Sequence, residues 1–294
     1  MGSGIVDLWN KGTGIKLQME VNEQKLFDTN NSESVERNPL QDVPSKVVAG
    51  SVKDSKPETD TKIREFRFES EKYCEAVDMW PQRGRHIMAQ YTDKAILVYQ
   101  AFKPEIAEYA TLHQSFEGCK SYKTTRMTWI KTNFLWMMYR SGWACKKNQE
   151  VILGIWIKRN FFERLLRAAK STQHGKYAKN ENGSKCAKGN KPCRLQWDPD
   201  HLPRGEKHLY RKAIQIGIKG ELAEEYASGK GKTPILKITD VTPFVREQSR
   251  ILNKSKEKQA HKIKNLWVAR ERIFAGLPED LAQEIRLSEC SKVS

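Results

Sequence analysis

Three fixed cations stand among aromatic side chains in residues 126–143, which read RMTWIKTNFLWMMYRSGW. The cations are Arg126, Lys131 and Arg140, and the segment also holds Tyr139 and three tryptophans. Guanidinium groups match the paired oxygens of a phosphate, and Trp and Tyr rings offer flat faces on which a base or a nicotinamide ring stacks. The segment therefore predicts a binding site for a nucleotide-like ligand.

Residues of the same kinds recur elsewhere in the chain. The predicted ligand-binding or phosphate-binding residues are Arg85, Tyr99, Arg126, Lys131, Arg140, Gln196 and Arg211. Gln100 and Gln215 lie in apolar runs that read as strands, and a buried amide needs hydrogen-bond partners. These two glutamines and Tyr139 are the candidate catalytic residues. A purely structural hydrogen bond is the alternative interpretation of each glutamine.

Residues 132–142 have the features of a helix. Its side chains at helical spacing are Phe134, Met137, Met138 and Ser141, with Thr132 or Asn133 as the cap and Gly142 as the stop. Because this helix is apolar on nearly all sides, we expect it to be buried and Arg140 to lie in or beside the interior. A buried guanidinium needs a negative partner, so Arg140 either forms an internal salt bridge or binds an anionic ligand.

The order of elements predicts a mixed α/β (α+β) body with a single mixed sheet. The predicted strands are residues 85–91, 95–102, 127–130, 150–157, 194–200, 210–218 and 235–238, and the predicted helices are 104–112, 132–142, 161–169, 220–228 and one from 240 toward 264. The run at 150–157 is apolar without alternation, which is typical of a central strand that is covered on both faces.

The composition along the chain predicts three regions. Residues 1–62 hold few aromatic side chains and several prolines, which favours a disordered tail. Residues 63–250 form the α/β domain, with a flexible, lysine-rich insertion at residues 170–192. Residues 251–294 are predicted to be a basic, amphipathic helical extension at the C-terminus.

The formal net charge of +16 exceeds what a solvated surface needs, and it is unevenly distributed. Lys and Arg outnumber acids in residues 170–194 and again in residues 246–272. Both segments are suited to bind nucleic acid through its phosphates, and both are also suited to be solvated tails. A non-catalytic module that binds RNA or DNA is therefore the alternative to an enzyme.

Other features bound the class of protein. No apolar run approaches the length of a membrane span, and the six cysteines lack paired spacing. We therefore expect an intracellular protein, cytoplasmic or nuclear, without a membrane partner. The cysteines and histidines near residue 190 match no standard zinc spacing, so no metal is expected. The chain also lacks the GxxxxGK[ST], GxGxxG, HExxH and GxSxG motifs of common enzyme classes.

Several uncommon motifs occur in a fixed order within residues 80–250. They are RHIMAQY at 85–91, VYQA at 98–101, the segment 126–143, LQWDP at 195–199, YRKAIQIG at 210–217 and DVTP at 240–243. In these motifs the chain resembles the DUF4291 family, a domain of unknown function. It departs from the family pattern in having Leu195 where Val is usual, in the lysine-rich insertion and in the added tails.

The order of strands and helices also resembles the split sheet of ADP-ribosyltransferases. That resemblance implies that Tyr99 and Gln100 hold the nicotinamide ribose and amide of NAD, that Tyr139 stacks on the ligand, and that Arg126 or Arg140 holds the pyrophosphate. The catalytic Glu of those enzymes has no match here, and the late strand has Gln215 instead. The expected function is a nucleotide-binding enzyme that transfers ADP-ribose from NAD to nucleic acid or protein.

Overall fold

A mixed sheet of seven strands organises the computed structural model, which describes residues 66–173, 192–229, 231 and 233–288. The strands are β1 (Ser70–Lys72), β2 (Gly84–Arg85), β3 (Met88–Ala89), β4 (Ala95–Phe102), β5 (Thr128–Lys131), β6 (Val151–Lys158), β7 (Cys193–His201), β8 (Lys207–Ile218), β9 (Ile235–Asp240), β10 (Trp267–Ala269) and β11 (Arg272–Ile273). The helices are α1 (Tyr73–Met79), α2 (Pro104–His113), α3 (Phe134–Ser141), α4 (Arg159–Gln173), α5 (Glu221–Ala227), α6 (Thr242–Lys254) and α7 (Glu279–Glu284), with a short 3-10 helix at Ala260–Lys262. The predicted mixed α/β class is confirmed.

The long strand β8 determines the layout of the sheet. Strand β7 pairs with β8 antiparallel along most of its length, and β5 and β2 pair with two different parts of β8. From β5 the sheet continues through β4 and β6 to β9, all antiparallel. The pairing of β2 with β8 is parallel and makes the sheet mixed. Two small sheets, β1 with β10 and β3 with β11, complete the described strands.

Helices cover both faces of the sheet. On one face, Val98 of β4 and Ile155 of β6 belong to a buried cluster that includes Phe162 of α4. On the other face, Leu97 and Trp156 belong to a buried cluster with residues of α1, α3 and α6. Successive side chains of a strand point to opposite faces, so β4 and β6 are apolar along most of their length because both of their faces are covered.

Helix α3 begins and ends where the sequence predicts. Asn133 has extended backbone angles, and its side-chain oxygen accepts a hydrogen bond of 2.7 Å from the backbone N–H of Trp136. Gly142 has a φ of 58°, which is the left-handed conformation that ends many helices. The predicted cap at Asn133 and the predicted stop at Gly142 are confirmed.

A buried carboxyl group provides a second acceptor at the start of α3. Glu271, between β10 and β11, accepts a hydrogen bond of 2.6 Å from the backbone N–H of Phe134. Its side chain is inaccessible to solvent, and burial raises the pKa of Glu271 well above its usual range, although the bond from Phe134 opposes this. The C-terminal part of the chain thus holds the helix that faces the sheet.

The residues after 250 differ from the predicted helical extension. Helix α6 ends at Lys254, β10 pairs with β1, and β11 pairs with β3. Leu266 and Leu281 are fully buried, so this part of the chain contributes to the core. The pairing joins it to strands from the start of the described chain, and such distant contacts are not specified by local periodicity or charge.

Two predicted regions fall outside the described part of the chain. The predicted tail, residues 1–62, lies wholly outside the described residues, and most of the predicted insertion, residues 170–192, does as well. Among the helices that are described, none combines the length and the apolar character needed to cross a membrane.

Gly217 allows two side chains from the region of β5 to lie directly on β8. A Cβ atom at this position would lie 2.6 Å from Sδ of Met127 and 3.0 Å from the ring of Trp129. We predict that Gly217→Ala lowers the free energy of unfolding by about 1–3 kcal/mol, as overpacking does. Denaturant-induced unfolding measures the change.

Gly154→Ala is the matched control, because a Cβ atom there would lie 3.4 Å from Leu97 and Val241, an ordinary contact. We expect it to change the free energy of unfolding by less than about 1 kcal/mol. Equal effects of the two substitutions would contradict the role given to Gly217.

Candidate functional site

Four of the predicted site residues stand side by side across the sheet. Tyr99 of β4 pairs with Lys131 of β5, Lys131 pairs with Gln215 of β8, and Gln215 pairs with Gln196 of β7. Paired residues on neighbouring strands project to the same face. All four therefore belong to the face that α3 covers, and the register of the sheet brings them into one row.

A cleft of about 680 Å³ is lined by Lys131 and Gln215 of this row, by residues of helix α3 and by the loop after α3. Its polar lining consists of the cations Arg126, Lys131, Arg140 and Lys147 and of polar uncharged side chains that include Asn148, Gln149 and Gln215. Its apolar lining includes Trp129, Trp136 and Met137. No Asp or Glu is among the described residues that line it, so the cleft is suited to an anion.

Lys131 is the most perturbed cation of the cleft. The residue is 6% exposed, and its Nζ atom lies 5.0 Å from the ring centroid of Trp136 and 3.4 Å from the carbonyl oxygen of Trp129. Burial, and then the charge of Arg140, lower the pKa of Lys131 to about 7, whereas Asp198 raises it. Near neutral pH a large fraction of this lysine carries an uncharged amine, which can accept a proton or act as a nucleophile.

Gln215 has its amide N–H groups engaged. Its Nε2 atom donates to Oδ2 of Asp198 at 2.6 Å and to Oε1 of Gln196 at 3.1 Å. The amide oxygen is therefore the atom with which Gln215 can accept a hydrogen bond from a ligand. Gln196 is exposed and contacts the site through Gln215.

Gln100 is held by residues of other elements. Its Oε1 atom accepts a hydrogen bond of 2.8 Å from the hydroxyl of Tyr226, and its Nε2 atom donates to Oγ1 of Thr128 at 2.7 Å and to the carbonyl oxygen of Trp129 at 3.2 Å. The expectation that this buried amide needs partners is confirmed. Because the Thr128 oxygen accepts from Gln100, its own proton is left to donate, either to the nearby hydroxyl of Tyr122 or to a ligand.

Arg140 is exposed, so the prediction that it lies in or beside the interior is wrong. Helix α3 has only eight residues and buries its first five, which leaves Tyr139 and Arg140 near its end outside the core. Tyr139 is 41% exposed, and one face of its ring already stacks on His201 with a centroid separation of 3.6 Å. Arg126 is also exposed and lines another part of the cleft.

The buried arginine of the described chain is Arg211. Its Nε atom lies 2.5 Å from Oδ2 of Asp200, its Nη1 atom donates to the carbonyl oxygen of Pro81 at 3.1 Å, and its guanidinium lies 5.1 Å from the ring centroid of Trp80. Arg211 and Asp200 are each 1% exposed. An internal salt bridge was one of the two interpretations of Arg140, but the buried salt bridge is formed by Arg211. Arg211 does not line the cleft.

Three further predicted residues also lie outside the cleft lining, namely Tyr99, Tyr139 and Arg85. Tyr99 is fully buried, packs against Phe134 at 5.7 Å between ring centroids, and has a pKa raised well above its usual range by burial. Arg85 lies on β2, where its backbone N–H donates to the hydroxyl of Ser288 at 2.9 Å. The structure therefore gathers Gln100, Arg126, Lys131, Arg140 and Gln215 in the cleft lining, with Gln196 beside them.

The loop that follows α3 belongs to the site, although the sequence did not predict it. Lys147, Asn148 and Gln149 line the cleft, and Asn148 has a φ of 61°. In the sequence these residues form an ordinary polar turn, and only their position after the stop at Gly142 connects them to the site. Among the described residues, no group of three or more His, Cys, Asp or Glu side chains is placed to hold a metal ion.

The chain belongs to the DUF4291 family, described as a domain of unknown function, which it matches over residues 86–274. The match includes the cleft and extends past residue 250 through β10 and β11. No curated protein matches the chain, and no solved structure matches it.

The ion pair between Arg211 and Asp200 is predicted to be strongly coupled. Arg211→Met alone leaves a buried carboxylate without its cation and is expected to lower the free energy of unfolding by about 3–5 kcal/mol. In Arg211→Met with Asp200→Leu, both charges are absent, so the loss is expected to be smaller than the sum of the two single losses. Chemical unfolding of the three variants measures the coupling, and additive losses would contradict it.

The amine of Lys131 is predicted to titrate near pH 7. Its acylation by a dilute amine reagent, followed by mass spectrometry of the peptide, should reach half of its maximal rate near that pH, because only the neutral amine reacts. Arg140→Gln should move the midpoint upward, and Asp198→Asn should move it downward, since Arg140 lowers the pKa and Asp198 raises it.

Lys131→Arg is the control for the identity of the labelled peptide. A midpoint near 10.5, the ordinary value for lysine, would contradict the perturbed pKa.

Proposed function

We propose that this protein is a nucleotide-binding enzyme whose cleft holds the phosphate groups of its ligand. The observation that carries the proposal is the set of four cations in a cleft whose described lining holds no carboxylate. Unbalanced positive charge with one cation buried is costly, and a bound phosphate is a partner that offsets it. The cleft volume of about 680 Å³ is within the range of small-ligand sites.

The uncharged donors of the cleft support a phosphate as well. Nε1 of Trp136 is buried and has no hydrogen-bond partner among the described residues, although Trp136 lines the cleft. An indole N–H can only donate, so it fits an acceptor such as a phosphate oxygen. The hydroxyl of Thr128, whose oxygen accepts from Gln100, also lines the cleft and can donate to a phosphate oxygen instead of to Tyr122.

The proposed reaction is transfer of ADP-ribose from NAD to nucleic acid or protein. The bond between C1′ of the ribose and the nicotinamide nitrogen breaks, nicotinamide leaves with the electron pair, and a nucleophile of the acceptor bonds to C1′. The proton that the nucleophile loses passes to solvent, because Lys131 is protonated while it contacts the phosphate of the bound ligand. Gln215 accepts a hydrogen bond from a ribose hydroxyl, and Gln100 acts through Thr128 as a positioning residue. No metal takes part in this scheme.

A second candidate function is nucleic-acid binding by a surface away from the cleft. Lysines 254, 256, 258, 262 and 264 are all exposed, within the predicted basic segment 246–272. Such a surface binds phosphate backbones without reading sequence, and its affinity falls steeply as salt rises. The other basic segment, residues 170–194, lies mostly outside the described residues.

Calorimetric titration with NAD, ATP, GTP and a short RNA tests the proposal. We predict that a nucleotide binds, and that Lys131→Met and Arg140→Gln each reduce its affinity about tenfold or more, because each removes a charge-assisted contact. Affinity should fall as pH rises above about 7, since an anion favours protonated Lys131 and its binding takes up a proton. Release of nicotinamide from NAD, with RNA or protein as the acceptor, tests the reaction.

Lys254→Gln is the control, because it removes an exposed charge outside the cleft. Failure of all three nucleotides to bind folded protein would overturn the proposal. The second candidate function would instead be favoured if RNA binding is lost with Lys254→Gln, is sensitive to salt and does not depend on Lys131.

A further inference from the structure

A second pocket of about 380 Å³ adjoins the cleft. The residues that line both cavities are Phe102, Arg126, Met127 and Thr128. The second pocket is lined in addition by Ile106, Ser121, Tyr122 and Lys123. Because half of its lining is shared, the two cavities form one groove that passes Arg126.

The two parts of the groove differ in character. The cleft presents four cations, whereas the second pocket has an aromatic and aliphatic wall made by Phe102, Ile106 and Tyr122. The rings of Phe102 and Tyr122 are 6.0 Å apart, and Tyr122 stacks on Phe116 at 4.5 Å with an interplanar angle of 21°. Packing of this kind fixes the wall before a ligand arrives and limits the entropy lost on binding.

The junction between the two parts has the groups that a sugar and its phosphate need. Thr128 lines both cavities, and its hydroxyl accepts from Gln100 at 2.7 Å. Arg126 is exposed and also lines both. A hydroxyl and a guanidinium at one point suit the stretch of a nucleotide where the ribose joins the phosphate.

We infer that the second pocket binds the base of the nucleotide while the Lys131 cleft binds its phosphates. This inference rests on the proposed function and specifies its ligand as a nucleoside with a diphosphate or longer phosphate chain. A planar base gains stacking and apolar contact against Phe102 and Tyr122 that inorganic polyphosphate does not. The base therefore contributes to affinity. The apolar wall of the second pocket distinguishes a nucleotide from a phosphate compound that has no base.

Titration of the full chain with ADP and with inorganic tripolyphosphate tests the inference. Wild type should bind ADP at least about tenfold more tightly than tripolyphosphate, despite the lower charge of ADP, because stacking of the base adds to its affinity. Ser121→Trp fills the second pocket from its loop and should weaken ADP binding by about the same factor while changing tripolyphosphate binding less than about twofold. Leu112→Trp, at an exposed position outside both cavities, should change neither.

The outcomes separate the two proposals. Suppose that tripolyphosphate binds wild type as tightly as ADP does and that its binding depends on Lys131. The inference is then overturned, and the proposed phosphate site stands. If neither compound binds, the proposed function fails and the inference fails with it. Should Ser121→Trp not fold, the comparison of the two ligands on wild type still decides, and unchanged ADP binding by a folded Ser121→Trp would also overturn the inference.

Discussion

The two hydrogen bonds at the start of α3 determine where the cleft forms. Asn133 accepts from the N–H of Trp136, and Glu271 accepts from the N–H of Phe134. These acceptors fix the start of the helix three residues after Lys131, the last residue of β5. The indole of Trp136 is thereby held over the lysine, and Arg140 comes to the edge of the same cleft. Without this junction, the polar row on the sheet would have no opposing wall.

Two buried cations on the same sheet are accommodated in different ways. Arg211 has a carboxylate partner, a carbonyl oxygen and an aromatic face, so its charge is balanced within the fold. Lys131 has a carbonyl oxygen and an aromatic face but no salt bridge to a carboxylate among the described residues. Its pKa is lowered instead, which a lysine permits and an arginine does not. This contrast separates a structural cation from a candidate functional one.

Local patterns predicted the elements, whereas distant pairing determined the site. The cap at Asn133 and the stop at Gly142 depend on a few adjacent residues, and both could be read from the sequence. The row from Tyr99 to Gln196 depends on the register of four strands, which no single segment specifies. The sequence predicted Arg140 as the buried cation, and that prediction failed for the same reason. Arg211 meets Asp200 across the pairing of β7 with β8, which the helical periodicity of residues 132–142 does not reveal.

Asp198 is the acidic group that acts on Lys131 across the row of polar residues. The carboxylate accepts from Gln215 at 2.6 Å, and Gln215 is the residue that pairs with Lys131 in the row across the sheet. The effect of Asp198 on Lys131 is smaller than the opposing effects of burial and of Arg140. In the proposed function, a phosphate that contacts Lys131 directly would be the nearest negative charge and would raise its pKa. Departure of that phosphate would restore the neutral amine, so in the proposed function the protonation of Lys131 would depend on occupancy of the cleft.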